Sequence, residues 1–277
     1  MVVTSESSDT TASAGSAPRG LWATLRVKRR LLLFAALLAW SLGRLRVELA
    51  LTGPNEAKRE AVRVRTKARV SRQLLRVFGV VMEGENHLPP ATRARLVVAN
   101  HRTAFDIGVM MAQFGGLMLS RGDLSSWPII GRLAREGHTI FVDRESGHSG
   151  ARAIRAIRRA LEAGNTVSVY PEGTTYIGDD VRAFSPGAFA AARGLAVDIV
   201  PVGLAYDANA GVEYFHTPFI EHLERVAARP RTRVVLCVGE PFPAEGKSAD
   251  LAARAEREVQ ALVLHARALH NDQRGAT

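Results

Sequence analysis

His101 and Asp106 are the residues whose types and spacing first suggest chemistry, in the run Asn100-His101-Arg102-Thr103-Ala104-Phe105-Asp106. The run follows the apolar stretch Leu96-Val97-Val98-Ala99, so both side chains belong at the mouth of a strand. Five helical steps of about 100° would leave the two roughly 140° apart, so a regular helix cannot join them. A turn can. With His101 in the loop and Asp106 in the first turn of the next helix, the carboxylate accepts a hydrogen bond from one ring nitrogen. The other nitrogen is then fixed as an acceptor, able to take a proton from a substrate hydroxyl.

A second polar loop follows a second strand. Thr166-Val167-Ser168-Val169-Tyr170 runs into Pro171-Glu172-Gly173-Thr174-Thr175, where Pro171 removes a ladder donor and Gly173 permits close backbone approach to a ligand. Between the two loops lie a strand from Leu117 to Ser120 and the β-branched run His138 to Val142, which ends in Asp143-Arg144. After them Val197 to Ala205 reads as another apolar strand, and Pro201 within it predicts an edge, a bulge or an opening.

In this order, NHxxxxD, IFVDR, YPEGTT and IVPVG resemble the four motifs of the glycerolipid acyltransferases, which acylate lysophosphatidic acid and related acceptors. The resemblance covers roughly residues 75 to 245, with Tyr170 in place of the usual Phe. It implies that His101 is the general base, that Asp106 orients it, and that the acceptor hydroxyl attacks an acyl thioester directly. Glu172, Gly173 and Thr174 then match a loop that helps bind the acceptor and shape the site, Arg144 an acceptor or phosphate contact, and Pro201 a motif associated with the acyl donor. Two positions depart from the pattern. Thr175 stands where an arginine is commonest, removing a fixed cation for the acceptor phosphate, and Arg121 stands in for the lysine of the second motif. Threonine at this place is similar to relatives that acylate lyso-ornithine lipids. The donor implied is acyl-CoA or acyl-carrier protein, with no further cofactor. No acyl-enzyme is required, and the single cysteine, Cys237, reads as a buried residue of the strand Arg233 to Val238.

The elements that position these loops predict an α/β fold, a largely parallel central sheet flanked by helices, with N-terminal membrane-associating helices. A helix from Ser149 to Ala163 joins the IFVDR strand to the YPEGTT strand as a crossover. Another begins near Ser185 and ends near Gly194, and Ala249 to Leu269 closes the chain. Three strand-helix alternations place the site at the ends of parallel strands.

Composition divides off a disordered tail over 1–19 and basic amphipathic membrane-associating helices over 20–79, and the resemblance implies an acyltransferase catalytic domain over 80–277. The formal charge of +10 resides entirely in the first 79 residues, which hold 15 Lys or Arg against 5 Asp or Glu; residues 80–277 hold 22 of each. Leu31 to Leu42 is apolar but too short to span a bilayer, which takes about 20 such residues. It suits an anchor in the cytoplasmic membrane interface with flanking arginines at anionic headgroups, or a helix packed on the core. Pro54 to Phe78 continues as a helix, with Ala61, Val64, Ala68, Leu75 and Phe78 on one face and Arg65, Arg69, Arg72 and Arg76 on another. The expected partners are therefore the bilayer, a lyso-lipid acceptor and the acyl donor. Nucleic acid is disfavoured, because an apolar block interrupts the basic region and few aromatics are available for stacking. A metal site is disfavoured, since no third ligand accompanies His101 and Asp106 at helpful spacing. The rival reading is a non-catalytic lipid-binding protein on the same fold.

Overall fold

The computed structural model of the chain describes residues 20–85, 88–121, 130–136, 140–142, 149–207, 211–215 and 217–275. Its frame is an eight-stranded sheet, and the strands and helices are numbered in chain order. Strand β2 (Ala94–Ala99), from which the His101 loop issues, lies between β6 (Val197–Tyr206) and β5 (Val167–Val169), parallel to both. Beyond β5 come β3 (Leu117–Arg121) and β4 (Ile140–Val142), also parallel. On the other side β7 (Thr232–Val238) runs antiparallel to β6, β1 (Val80–Glu85) pairs parallel with β7, and the short β8 (Phe242–Pro243) pairs with the start of β6.

Strand side chains alternate between two apolar layers, as a period of two requires. Val97, Ala99, Val200, Val202 and Leu204 face one layer, and Leu96, Val98, Val197 and Ile199 face the other. The first layer is closed by α1 (Leu21–Thr52), α2 (Glu56–Phe78), α3 (Phe105–Phe114) and α7 (Phe219–Ala228), through Val27, Phe78, Val109 and Leu223 among others. The second is closed by α5 (Ser149–Glu162), α6 (Gly187–Ala192) and α8 (Ser248–Gly275), through Ile157, Phe189 and Val259. A Cβ on Gly203 would come within 2.4 Å of the Leu262 backbone, so the absence of a side chain there lets α8 lie directly on β6.

Pro201 lies inside β6, with β2 on one side. Pairing with β8 stops at Ile199 and pairing with β7 starts at Val202, so Pro201 occupies the interval between them. Its carbonyl accepts the Gly239 N–H at 2.9 Å. A strand residue's N–H and C=O point the same way, so the N–H that proline lacks falls in that gap. The opening is real, but the ring is buried in the sheet beside Gly239 and Leu262, on the side covered by α8.

Helix α1 is much longer than its apolar dozen suggested. Its 32 residues extend about 48 Å at 1.5 Å per residue, ending only at Gly53-Pro54. Val27, Leu38, Leu42, Leu45 and Leu49 are buried on one side, and Trp22, Leu25, Leu32, Leu33, Trp40, Val47 and Leu51 are exposed on the other. One face of this segment is thus packed on the core, and the other is apolar and exposed. Its arginines are not all free for headgroups: Arg26 donates to the Ala228 carbonyl at 2.7 Å, and Arg30 donates to the carbonyls of Ala227, Arg229 and Pro230. Both cap the negative end of α7. On α2, Arg69 reaches Glu48 at 3.2 Å and Arg72 donates to the Ala112 carbonyl, so that face is partly tied to the protein. Among the described residues no helix is long and apolar enough to cross a membrane. The short helix α4 (Ile130–Glu136) precedes β4.

Candidate active site

Asp106 sits in the first turn of α3, fully buried, and the loop before it folds around its carboxylate. Oδ2 accepts from His101 Nδ1 at 2.8 Å, from the Arg102 N–H at 2.6 Å and from the Thr103 N–H at 2.9 Å. A carboxylate offers only acceptors, so the proton in the His101 pair lies on Nδ1 and Nε2 keeps its lone pair. The loop expected from spacing alone is thus an anion-centred turn at a helix N-terminus, where the helix dipole also favours the charge.

Three further groups hold the His101–Asp106 pair in place. Asn100 exchanges two hydrogen bonds with the Leu204 backbone at 2.8 and 2.9 Å, pinning the start of the loop to β6. The Tyr170 ring lies flat on the imidazole, with centroids 3.9 Å apart and planes within 6°. From β6, Tyr206 donates its hydroxyl to Asp106 Oδ1 at 2.6 Å.

Glu172 stands behind His101, with its carboxylate turned into the protein. Its side chain is inaccessible to solvent. Oε1 accepts the His101 N–H at 2.7 Å, Oε2 accepts the Arg182 N–H at 3.0 Å, and both oxygens take Arg102 Nη1, at 2.9 and 3.1 Å. Arg102 in turn donates to the carbonyls of Gly178 and Asp180. The two motif loops are therefore stapled by a buried, fully hydrogen-bonded ion pair, leaving the carboxylate no free oxygen for a substrate. Thr175 is also buried and gives its hydroxyl to the Tyr214 carbonyl. By contrast Gly173 and Thr174 are exposed, with open space beside Gly173.

The structure thus gathers His101, Asp106, Glu172, Gly173, Thr174 and Thr175 around one loop junction. Arg121 ends β3 opposite Val142 of β4. Arg144 lies outside the described residues. Sequence reasoning missed Arg102, Asn100, Arg182 and Tyr206 as site-building residues. Arg102 carried a signal, a cation inside the motif, and Tyr206 another, a polar aromatic ending an apolar strand at the same end as His101. Arg182 has its guanidinium 5.4 Å from the Tyr176 ring centroid, and the Tyr176 N–H donates to the His101 carbonyl at 3.0 Å. Behind the loop His222 is buried, with Nε2 3.0 Å from Thr103 Oγ1; burial and the nearby Arg225 push its pKa down to about 4.

An apolar cavity of about 250 Å³ opens beside this junction, between α1, α2, α3 and α7. Ala104 and Phe105, which join the His101 loop to α3, line it together with Phe34, Leu38, Val70 and Leu74. One wall carries Lys67, whose pKa burial lowers to about 8.

Residues 79–205 match the family described as Acyltransferase. The lyso-ornithine lipid O-acyltransferase of Pseudomonas aeruginosa is 33% identical over 191 residues, 66% of this chain and 71% of that protein. The 1-acyl-sn-glycerol-3-phosphate acyltransferase of Neisseria meningitidis is 27% identical over 144 residues, covering 52% and 56%. Among solved structures, the 1-acyl-sn-glycerophosphate acyltransferase of Thermotoga maritima superposes with a TM-score of 0.70 at 20% identity, covering 89% of this chain and 96% of that one, a likeness of fold. With the His101–Asp106 pair at the head of the matched segment, the chain belongs to the glycerolipid acyltransferase family and is an O-acyltransferase.

Proposed function

We propose that this chain moves a fatty acyl group from an acyl thioester, acyl-CoA or acyl-carrier protein, onto the hydroxyl of a lyso-lipid at a membrane surface. The observation that carries the reading is the Asp106-bound imidazole, whose free Nε2 is the base, set beside an apolar cavity suited to a chain. His101 Nε2 takes the hydroxyl proton as the oxygen attacks the thioester carbon. The tetrahedral intermediate then collapses, breaking the C–S bond, and the imidazolium returns the proton to the departing thiolate. The products are the acylated lipid and the free thiol.

For the acceptor, Thr175 and the similarity to the Pseudomonas aeruginosa protein favour a lyso-ornithine lipid. Lysophosphatidic acid is the second reading, favoured by Arg182, whose guanidinium lies by the Tyr176 ring and is not engaged by an acidic side chain among the described residues. The exposed apolar face of α1 supports seating on the cytoplasmic leaflet, parallel to the surface.

The test is a product-resolved assay of wild type and His101→Ala, with both donors and with lyso-ornithine lipid, lysophosphatidic acid and other lyso-lipids. Acylation of one acceptor by wild type alone is the expected result. No product with any pair, from folded and vesicle-bound protein, would transfer the case to the lipid-binding rival.

A further inference from the structure

Asp106 Oδ2 carries three donors from its own loop, but Oδ1 receives its bond from a residue 100 positions away. Tyr206 is the last residue of β6, and the alternation of that strand turns its side chain toward α3. The phenol is buried, and desolvation together with the Asp106 charge holds its pKa well above the ordinary tyrosine value. It therefore remains protonated, and toward a carboxylate it can only donate.

We propose that Tyr206 is a positioning residue that sets the proton affinity of His101 through Asp106. The 2.6 Å bond to Oδ1 fixes the carboxylate plane, so that Oδ2 presents its lone pair to Nδ1–H. It also withdraws charge from the carboxylate. The imidazolium formed when His101 accepts the acceptor proton is stabilised by that charge, so a stronger donor at Oδ1 makes His101 a weaker base and a missing donor makes it a stronger one.

The other groups facing the pair are accounted for. Tyr170, from the end of β5, stacks on the imidazole and has a buried hydroxyl without a hydrogen-bond partner among the described residues. Glu172 meets His101 through the backbone N–H and is neutralised by Arg102. From α7, His222 reaches the loop through Thr103, and Arg225 stands beside His222. None of these bonds Oδ1. Tyr206 is thus the one hydrogen-bond donor to that oxygen among the described residues.

The experiment is a ¹⁵N NMR titration of the imidazoles of the full chain in micelles, with the His101 signals assigned by comparison with His101→Gln. It compares wild type, Tyr206→Phe and protein carrying 3-fluorotyrosine at 206, whose phenol is a stronger donor. His101 should titrate about half a pH unit higher in Tyr206→Phe and lower in the fluorinated protein. The acid limb of kcat/KM should move in the same two directions, with kcat in Tyr206→Phe falling about tenfold as the imidazole loses its orientation. An unmoved His101 titration in both proteins, with activity reduced only in proportion to the folded fraction, would make Tyr206 a structural strut and overturn the proposal. If Tyr206→Phe does not fold, the fluorinated protein decides alone. Because the titration needs no substrate, failure to find an acceptor would count against the proposed reaction and leave this result standing.

Discussion

Replacing Glu172 by Gln separates a carboxylate that holds the catalytic loop from one that binds substrate. The glutamine retains one acceptor oxygen in place of two and turns an NH₂ toward a site already occupied by donors. The His101 N–H, the Arg182 N–H and Arg102 Nη1 all converge there. One or two of these must lose their partner. The Arg102 and Glu172 side chains are 4% and 0% exposed, so the loss falls in the regime of a broken buried pair, about 3 kcal/mol. For a chain of this size each kcal/mol lowers Tm by about 2–4 °C, so the melting temperature should fall by roughly 6–12 °C. Activity measured well below that temperature should show kcat falling at least tenfold while acceptor KM changes little, because the loop carrying the base loosens and the headgroup contacts remain. Differential scanning fluorimetry and a full kinetic analysis provide both numbers. An unchanged Tm with a raised acceptor KM would refute the reasoning and return Glu172 to the substrate. A double replacement, Arg102→Met with Glu172→Leu, should recover part of the stability but not the activity, since the uncompensated charge is gone and the staple with it.

Three further outcomes are expected. His222 has a folded pKa of about 4 against 6.5 when free, so the unfolded chain binds the proton first; the stability is fully present above pH 6.5 and is lost as pH falls toward 4, by roughly 3 kcal/mol. His222→Gln should flatten the urea-measured stability across that window, and an unchanged slope would show that His222 is not the group responsible. Arg182→Gln should raise KM about tenfold for anionic acceptors with kcat preserved, and leave an uncharged monoacylglycerol unaffected; equal effects on both would remove Arg182 from headgroup recognition. Trp22 and Trp40 are 78% and 70% exposed on α1, so replacing both with serine should weaken sedimentation with anionic vesicles several-fold at unchanged Tm. Retained sedimentation would place the membrane contact elsewhere.

The His101–Asp106 pair was legible in the sequence because it is local. Asp106 lies in the first turn of a helix, and the loop before it can close on the carboxylate whatever else the chain does. The parallel sheet was equally legible, since the apolar runs of β2, β5 and β6 and the crossover α5 obey short-range patterns. Strand β1 and helix α7 escaped notice, the former because only Val80-Val81-Met82 is apolar before Glu83-Gly84. Only the tertiary structure decided where Glu172, Pro201 and Tyr206 sit. Their contacts depend on β2 lying between β5 and β6, which brings residues 71 and 100 positions apart onto His101 and Asp106. Spacing along the chain carries no record of which strands become neighbours. A glutamate in a polar loop reads as a substrate contact, and nothing in its spacing along the chain announces that the fold buries it against Arg102 with both oxygens hydrogen-bonded.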